Sequence, residues 1–417
     1  MLKNKNLKLI NKKMNTIVNF NSIFDINNNF FWFTIVTNTI AKFVNYFMEL
    51  NIKDYKKFKV NDLFGRYITN DSIINILTTY SPKISGYSVQ KRPIYSFSYG
   101  SGKTKILIWS QMHGNESTST KALFDCISYI TNIDPSLLDS ISLTVLPILN
   151  PDGAFEYTRE NYNKIDLNRD AVDLTQPESK LLRSIYDTLK PHFCFNLHDQ
   201  RTIYSLNNFD SSILSFLSPS SDINKLETES RIKSMSVISH VYESMSKIIP
   251  GNIGRYNDDF NINCVGDTFQ SLKTPTILFE SGHYNDDYNR EVSRKYVCFS
   301  LIYSIQCIAN KLFTDHNNYY NIPENKTQLT DIKIVNIKVK QKSTFKLTNL
   351  TIMFKEILNK ETQTVEFKPE INEIGTLLNT SGHLVLDFKI IDTVFDLTKP
   401  NSIDNIILNV NKLRNIH

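Results

Sequence analysis

The chain has 417 residues, 41% hydrophobic and 21% charged, enough for a buried core and for more than one folded unit. That composition excludes a disordered protein, a collagen-like chain and a small disulfide scaffold. The formal net charge is +5, but residues 1–48 hold six lysines against the single acid Asp25, leaving 41 basic and 41 acidic residues in the body, so nothing in the charge argues for a nucleic-acid partner.

Residues 1–13 are basic and 30–48 rather apolar, yet Asn38, Lys42 and Asn45 interrupt the apolar stretch and no small-residue cleavage site follows. A poorly ordered leader over 1–48 is the expectation, ahead of a signal or membrane anchor. Residues 49–95 read as short helical pieces and turns that lead into a strand near 94–98. Tyr99-Gly100-Ser101-Gly102-Lys103-Thr104 imitates half a phosphate loop. Phe97 stands where that loop needs glycine, and a strand (106–109) follows rather than a helix, so the segment is read as a hairpin turn.

From 105 to 310 short apolar runs alternate with amphipathic segments, the pattern of an α/β domain. Helices are predicted at 117–130, where Leu123, Cys126, Ile127 and Ile130 repeat at helical spacing, at 177–189 behind Pro177, and at 291–311. Past 320 the texture changes: Ile332, Ile334, Ile337 and Val339 suggest a strand, and 325–417 is expected to be a small β-rich appendage. Five scattered cysteines with no C-x-x-C pair suggest neither a zinc ribbon nor a disulfide framework, and fit a reducing, cytoplasmic setting.

Four apolar runs each end in a polar cluster. Residues 106–109 lead to Met112-His113-Gly114-Asn115-Glu116, 143–149 to Asn150-Pro151-Asp152-Gly153, 193–197 to His198-Asp199, and 276–279 to Glu280-Ser281-Gly282. Open α/β sheets bind ligands beyond the carboxyl ends of their strands, so these ends are expected to converge on one crevice. His113 and Glu116 stand at H-x-x-E spacing, and His198 supplies a third donor. Two imidazoles and one carboxylate leave the fourth position of a tetrahedral zinc site open for water, as catalytic sites require. Asp166 is the candidate to orient His113 through its other ring nitrogen.

These motifs in order, with Arg159-x-Asn161 and Asp166-Leu-Asn-Arg-Asp170 between them, make the chain resemble the zinc metallocarboxypeptidases related to carboxypeptidase A, in their bacterial-type peptidase branch. The resemblance covers most of residues 90–310. It implies a three-layer α/β/α fold with a mixed, mostly parallel central sheet, and a catalytic domain over 49–320. It implies one Zn2+ held by His113, Glu116 and His198, with Asp166 behind His113, Arg159 facing the oxyanion, and Asn168 with Arg169 binding the substrate's terminal carboxylate. Glu280 resembles the general base. Tyr256 is the nearest match to the family's substrate-capping tyrosine, with Tyr284 and Tyr288 as alternatives because the spacing to Glu280 is not quite the usual one. The implied partner is a peptide with a free C-terminal carboxylate. No nucleic-acid or membrane partner is expected, and the oligomeric state stays open.

Elementary chemistry asks for the same groups. Amide hydrolysis near neutral pH needs an activated water, a carboxylate to move its proton and a fixed cation for the oxyanion. A guanidinium fork suits a free carboxylate. Two alternatives stay open: a zinc-dependent deacylase of N-acyl amino acids, of the succinylglutamate desuccinylase or aspartoacylase kind, and a relative that binds zinc or peptide without turnover. Asn150-Pro151-Asp152-Gly153 is read as a turn that shapes the crevice wall, and Arg169–Asp170 as a possible plain ion pair.

Overall fold

The computed structural model describes residues 55–414, so the leader expected at 1–48 lies outside the described residues. In chain order the strands are β1 (Lys83–Tyr87), β2 (Pro93–Tyr99), β3 (Thr104–Ser110), β4 (Ile141–Leu146), β5 (Phe193–Asp199), β6 (Tyr204–Ser205), β7 (Leu214–Leu217), β8 (Ile253–Arg255) and β9 (Thr276–Ser281). Eight of them form one sheet in the order β1-β2-β4-β3-β5-β9-β7-β8. The central run from β4 to β9 is parallel, whereas β1, β2 and β7 enter antiparallel. It is a mixed α/β sheet.

Ile106, Leu107, Ile108 and Trp109 of β3 are all wholly buried, which a strand achieves only when both faces are covered. Helices α1 (Asn70–Leu77), α2 (Thr118–Asn132), α3 (Pro151–Glu156), α4 (Pro177–Leu189), α5 (Glu229–Met245), α6 (Val265–Ser271) and α7 (Glu291–Asn310) do the covering. Leu107, Trp109 and Cys194 pack against Leu182 and Tyr186 of α4 and Val265 and Phe269 of α6. Phe269 stands edge-on to Trp109 and stacks on Tyr186. Each such large apolar side chain contributes about 1.5–3 kcal/mol by leaving water. By the period of 2, Ile106 and Ile108 face the opposite layer, where α2 and α7 pack on each other. Arg294 of α7 clamps Asp125 of α2 with both side chains fully buried.

The segment 99–104 is not a hairpin turn. β2 and β3 do not pair; β4 lies between them. Gly100 has φ +89°, and the Gly102 N–H donates to the carbonyls of Leu138 and Ile141, so the loop wraps the entry of β4. The strand predicted to run to residue 149 stops at Leu146 for a similar reason. Beyond it, the Leu149 and Asn150 N–H groups donate to Ser110 and Gln111 as the chain turns into α3.

The C-terminal region contains β10 (Lys326–Thr327), β11 (Leu329–Gln341), β12 (Thr344–Asn359), β13 (Thr364–Gly375), β14 (Ser381–Asp387), β15 (Val394–Phe395) and a helix, α8 (Ser402–Arg414). Ile332, Ile334, Ile337, Leu350 and Ile352 bury against Ile406, Val410 and Leu413 of α8. β11 and β12 part after the pair Ile332–Ile352, while β12 and β13 stay paired out to Asn359–Thr364. The outer half of that hairpin is therefore a two-stranded arm. It is tied to the α/β region where Arg66 donates to Glu356 at 3.2 Å and Tyr157 donates to the same carboxylate. A second tie is β10, which pairs with β6 just past β5.

Candidate active site

Gln111 leaves β3 with φ +44° and turns the chain sharply. Its amide donates to the Gly114 and Ile68 carbonyls at 2.9 and 3.0 Å, fixing the loop that carries His113. Asn150 caps α3 by accepting from the Gly153 N–H at 2.8 Å, and donates to the Met112 carbonyl at 3.1 Å. An ideal Cβ on Gly114 would sit 1.9 Å from the Gly153 carbonyl carbon, so only glycine permits the two loops to touch. The Asn-Pro-Asp-Gly turn thus buttresses the His113 loop, and it does so without lining the crevice as its reading as a wall expected.

His113 and Glu116 meet His198 from the end of β5. His113 Nδ1 lies 2.9 Å from Glu116 Oε1, His198 Nδ1 lies 2.8 Å from Glu116 Oε2, and the two Nδ1 atoms are 3.1 Å apart. All three side chains are buried, and their donor atoms fall within 4.8 Å of one another. Lone pairs crowded this closely, two of them on imidazole nitrogens, fit a small divalent cation. His113 Nε2 contacts Asp166 Oδ1 at 2.9 Å. Burial alone would raise the Asp166 carboxyl, but the hydrogen bond and charge of His113, with Arg159, hold it well below the usual range.

Glu280 is the register partner of His198 across β5 and β9. Its Oε2 is buried and has no hydrogen-bond partner among the described residues. Burial pushes its pKa well above the ordinary value, and the Glu116 and Asp199 carboxylates push it further. Asp199 beside His198 accepts from the Thr118 and Ser119 N–H groups at 2.8 and 3.1 Å, so the N-terminus of α2 locks the end of β5.

One cavity of about 390 Å³ is lined by His113, Glu116, Arg159, Asn168, Arg169, His198, Tyr256 and Glu280. Asp166 stands behind it. Arg159 spans Glu116 Oε1 at 3.2 Å and Asp166 Oδ2 at 3.1 Å. Arg169 donates to the Asn168 carbonyl at 2.7 Å and contacts Cys264 Sγ at 3.1 Å. It does not pair with Asp170, whose carboxylate instead accepts from Thr175 and Gln176. Tyr256 donates to Gln200 Oε1 at 2.9 Å, and burial and the nearby Glu280 raise its hydroxyl so that it stays protonated. Tyr288 instead donates to Asp331 and packs on Phe354 and Phe367, while Tyr284 stands by Tyr296. Neither lines the cavity.

Sequence reasoning missed Gln200, Tyr204 and Arg66. Gln200 and Tyr204 also line the cavity. Gln200 positions Tyr256, and its place two residues past His198 on a strand end was the available signal. Arg66 left no trace in sequence, because its partner Glu356 is 290 residues away.

Residues 75–228 match the zinc carboxypeptidase family model. Over these residues the chain is similar to the zinc carboxypeptidases. The match includes every member of the His-Glu-His cluster together with Arg159, Asp166, Asn168 and Arg169, and it ends before Tyr256 and Glu280. The chain is 30% identical to a probable carboxypeptidase 2 of Arthroderma benhamiae over 100 residues, 23% of this chain and 19% of that protein. It is 29% identical to carboxypeptidase M of Mus musculus over 126 residues, 25% of this chain and 28% of that one. The matched stretch thus spans about a fifth of the length of the first curated relatives. Among solved structures, a metallo-carboxypeptidase from Burkholderia cenocepacia superposes at a TM-score of 0.48 and 14% identity, over 59% of this chain and 70% of that one.

Proposed function

We propose that the protein is a zinc-dependent metallocarboxypeptidase that hydrolyses a C-terminal peptide bond. The observation that carries this is the meeting of the His113, Glu116 and His198 donors with the unpartnered Glu280 carboxylate in a cavity whose other wall holds Asn168 and Arg169. His113, Glu116 and His198 are the residues to hold one zinc ion, and Asp166 orients His113. Bound zinc would supply an activated water near neutral pH, with a pKa lowered to about 7.

In this reading Glu280 takes the proton of the attacking water and passes it to the leaving amine, which its raised proton affinity favours. Arg159 sets a permanent positive charge beside the ligand Glu116, where the oxyanion develops. Arg169 grips the substrate's terminal carboxylate with Asn168 beside it. Tyr256, kept protonated and held by Gln200, donates toward the bound chain. Residues 49–320 would serve as the catalytic domain and 325–417 as its appendage. A cytoplasmic setting is supported by five free cysteines. Among the described residues no helix is long and apolar enough to cross a membrane.

The test is to assay the zinc-loaded protein on hippuryl-type peptides beside N-succinyl and N-acetyl amino acids. Release of the C-terminal residue from the peptides is expected. Turnover of the acyl amino acids alone would refute the proposal.

A further inference from the structure

The space around the metal cluster continues on its far side. Glu116, Arg159, Asp199, Gln200 and Arg201 also line a second cavity of about 510 Å³, whose opposite wall comes from the β12–β13 arm. Asn168 and Arg169 line the first cavity and not the second. A peptide whose terminal carboxylate sits on Arg169 and whose scissile carbonyl sits at the cluster must therefore send its upstream residues into the second cavity.

The charges there are unequally committed. Of the four acids that line it, Glu116 belongs to the metal cluster, Asp199 caps α2, Glu356 is held by Arg66 and Tyr157, and Glu370 is 55% exposed and stands 3.9 Å from Lys355, too far for a close ion pair. Arg159 and Arg66 are likewise engaged, and Arg290 donates to the Ser281 carbonyl. Arg201 is exposed and makes no hydrogen bond or ion pair among the described residues. Lys355 on the arm is 63% exposed, with only Glu370 in reach at 3.9 Å. Asn115, on the loop between His113 and Glu116, also lines this cavity and has a buried side-chain oxygen with no partner among the described residues, an acceptor free for a peptide N–H.

We propose that the second cavity seats the substrate residues upstream of the cleaved bond, and that Arg201 and Lys355 make it select acidic side chains there. The C-terminal sheet then acts as a specificity wall. This inference rests on the carboxypeptidase reading of the cluster.

The experiment compares two N-blocked pentapeptides that share their last two residues and carry either two Glu or two Lys just before them, with the N-blocked dipeptide of the shared residues as control. The ratio of kcat/KM for the Glu and Lys peptides is the readout, so a general loss of activity in a variant cancels. The zinc-loaded protein is expected to prefer the Glu peptide about five- to tenfold at low salt, since each exposed charge pair contributes modestly. Added salt should shrink the preference. Arg201→Gln and Lys355→Gln should each lower the ratio, and Lys355→Glu should carry it toward or below one. If the dipeptide is cleaved but the ratio is near one, or does not move in these variants, the specificity wall is overturned and the carboxypeptidase reading survives. If neither the dipeptide nor the pentapeptides are cleaved, the carboxypeptidase reading itself fails and this inference falls with it.

Discussion

His198 and Glu280 stand opposite each other in the register of adjacent parallel strands β5 and β9. Partners across such strands lie about 4.8 Å apart and point to the same face. The separation between the His198 imidazole and the Glu280 carboxylate is therefore set by sheet hydrogen bonds rather than by a loop.

Because Glu280 lies outside the donor cluster, Glu280→Gln should leave zinc binding intact. Removing a positioned general base typically costs about 10²–10⁴ in rate, so kcat should fall by about that factor. Zinc content measured on the purified variant, beside its turnover of a hippuryl peptide, checks both halves. Loss of the metal together with activity would place Glu280 among the ligands.

The raised proton affinity of Glu280 has a consequence for the metal-free protein. Below the unfolded-state pKa of about 4.3 the side chain is protonated whether folded or not, and costs nothing. As pH rises through the elevated folded-state value, the native state must ionise a buried carboxyl and loses stability. Metal-free Glu280→Gln should therefore exceed metal-free wild type in urea midpoint at pH 8, with the difference fading below about pH 4. Equal midpoints across that range would contradict the burial argument.

Asp166→Asn keeps the size of the side chain but weakens its hold on His113 Nε2. Loss of such an outer carboxylate typically lowers metal affinity by about 10–100-fold. Competition with a chromophoric chelator measures this directly, and Asp166→Glu should recover part of the affinity.

Arg66→Met strands Glu356 and Tyr157 at the root of the arm. Breaking a buried ion pair from one side costs about 3–5 kcal/mol, and Glu356 keeps some solvent contact, so a loss of about 3 kcal/mol is expected. The double variant Arg66→Met/Glu356→Leu should recover much of it in a denaturation cycle.

The crevice was legible because its residues cluster at strand ends, where an apolar run stops against His113, His198 or Glu280. The helix at 177–189 was legible to the residue, since Pro177 and its apolar stripe mark both ends. Pairing was not. Nothing local to 99–104 shows that β4 inserts between β2 and β3, because that choice is made by residues some 40 positions on. The short, largely exposed β1 lacked an apolar alternation to announce it. Helix α8 was missed because its stripe of Ile406, Val410 and Leu413 is narrow and set among asparagines. The arm was invisible for the same reason as Arg66: its meaning lies in a contact between distant segments.

The close fit of Gly114 on Gly153 couples the fate of two stretches that share no ligand. A methyl group at position 114 would wedge them apart and swing His113 off its neighbours, dismantling the cluster without altering one donor atom. Inactive descendants of this chain are thus to be sought as much in that backbone seam as in the imidazoles and carboxylates themselves.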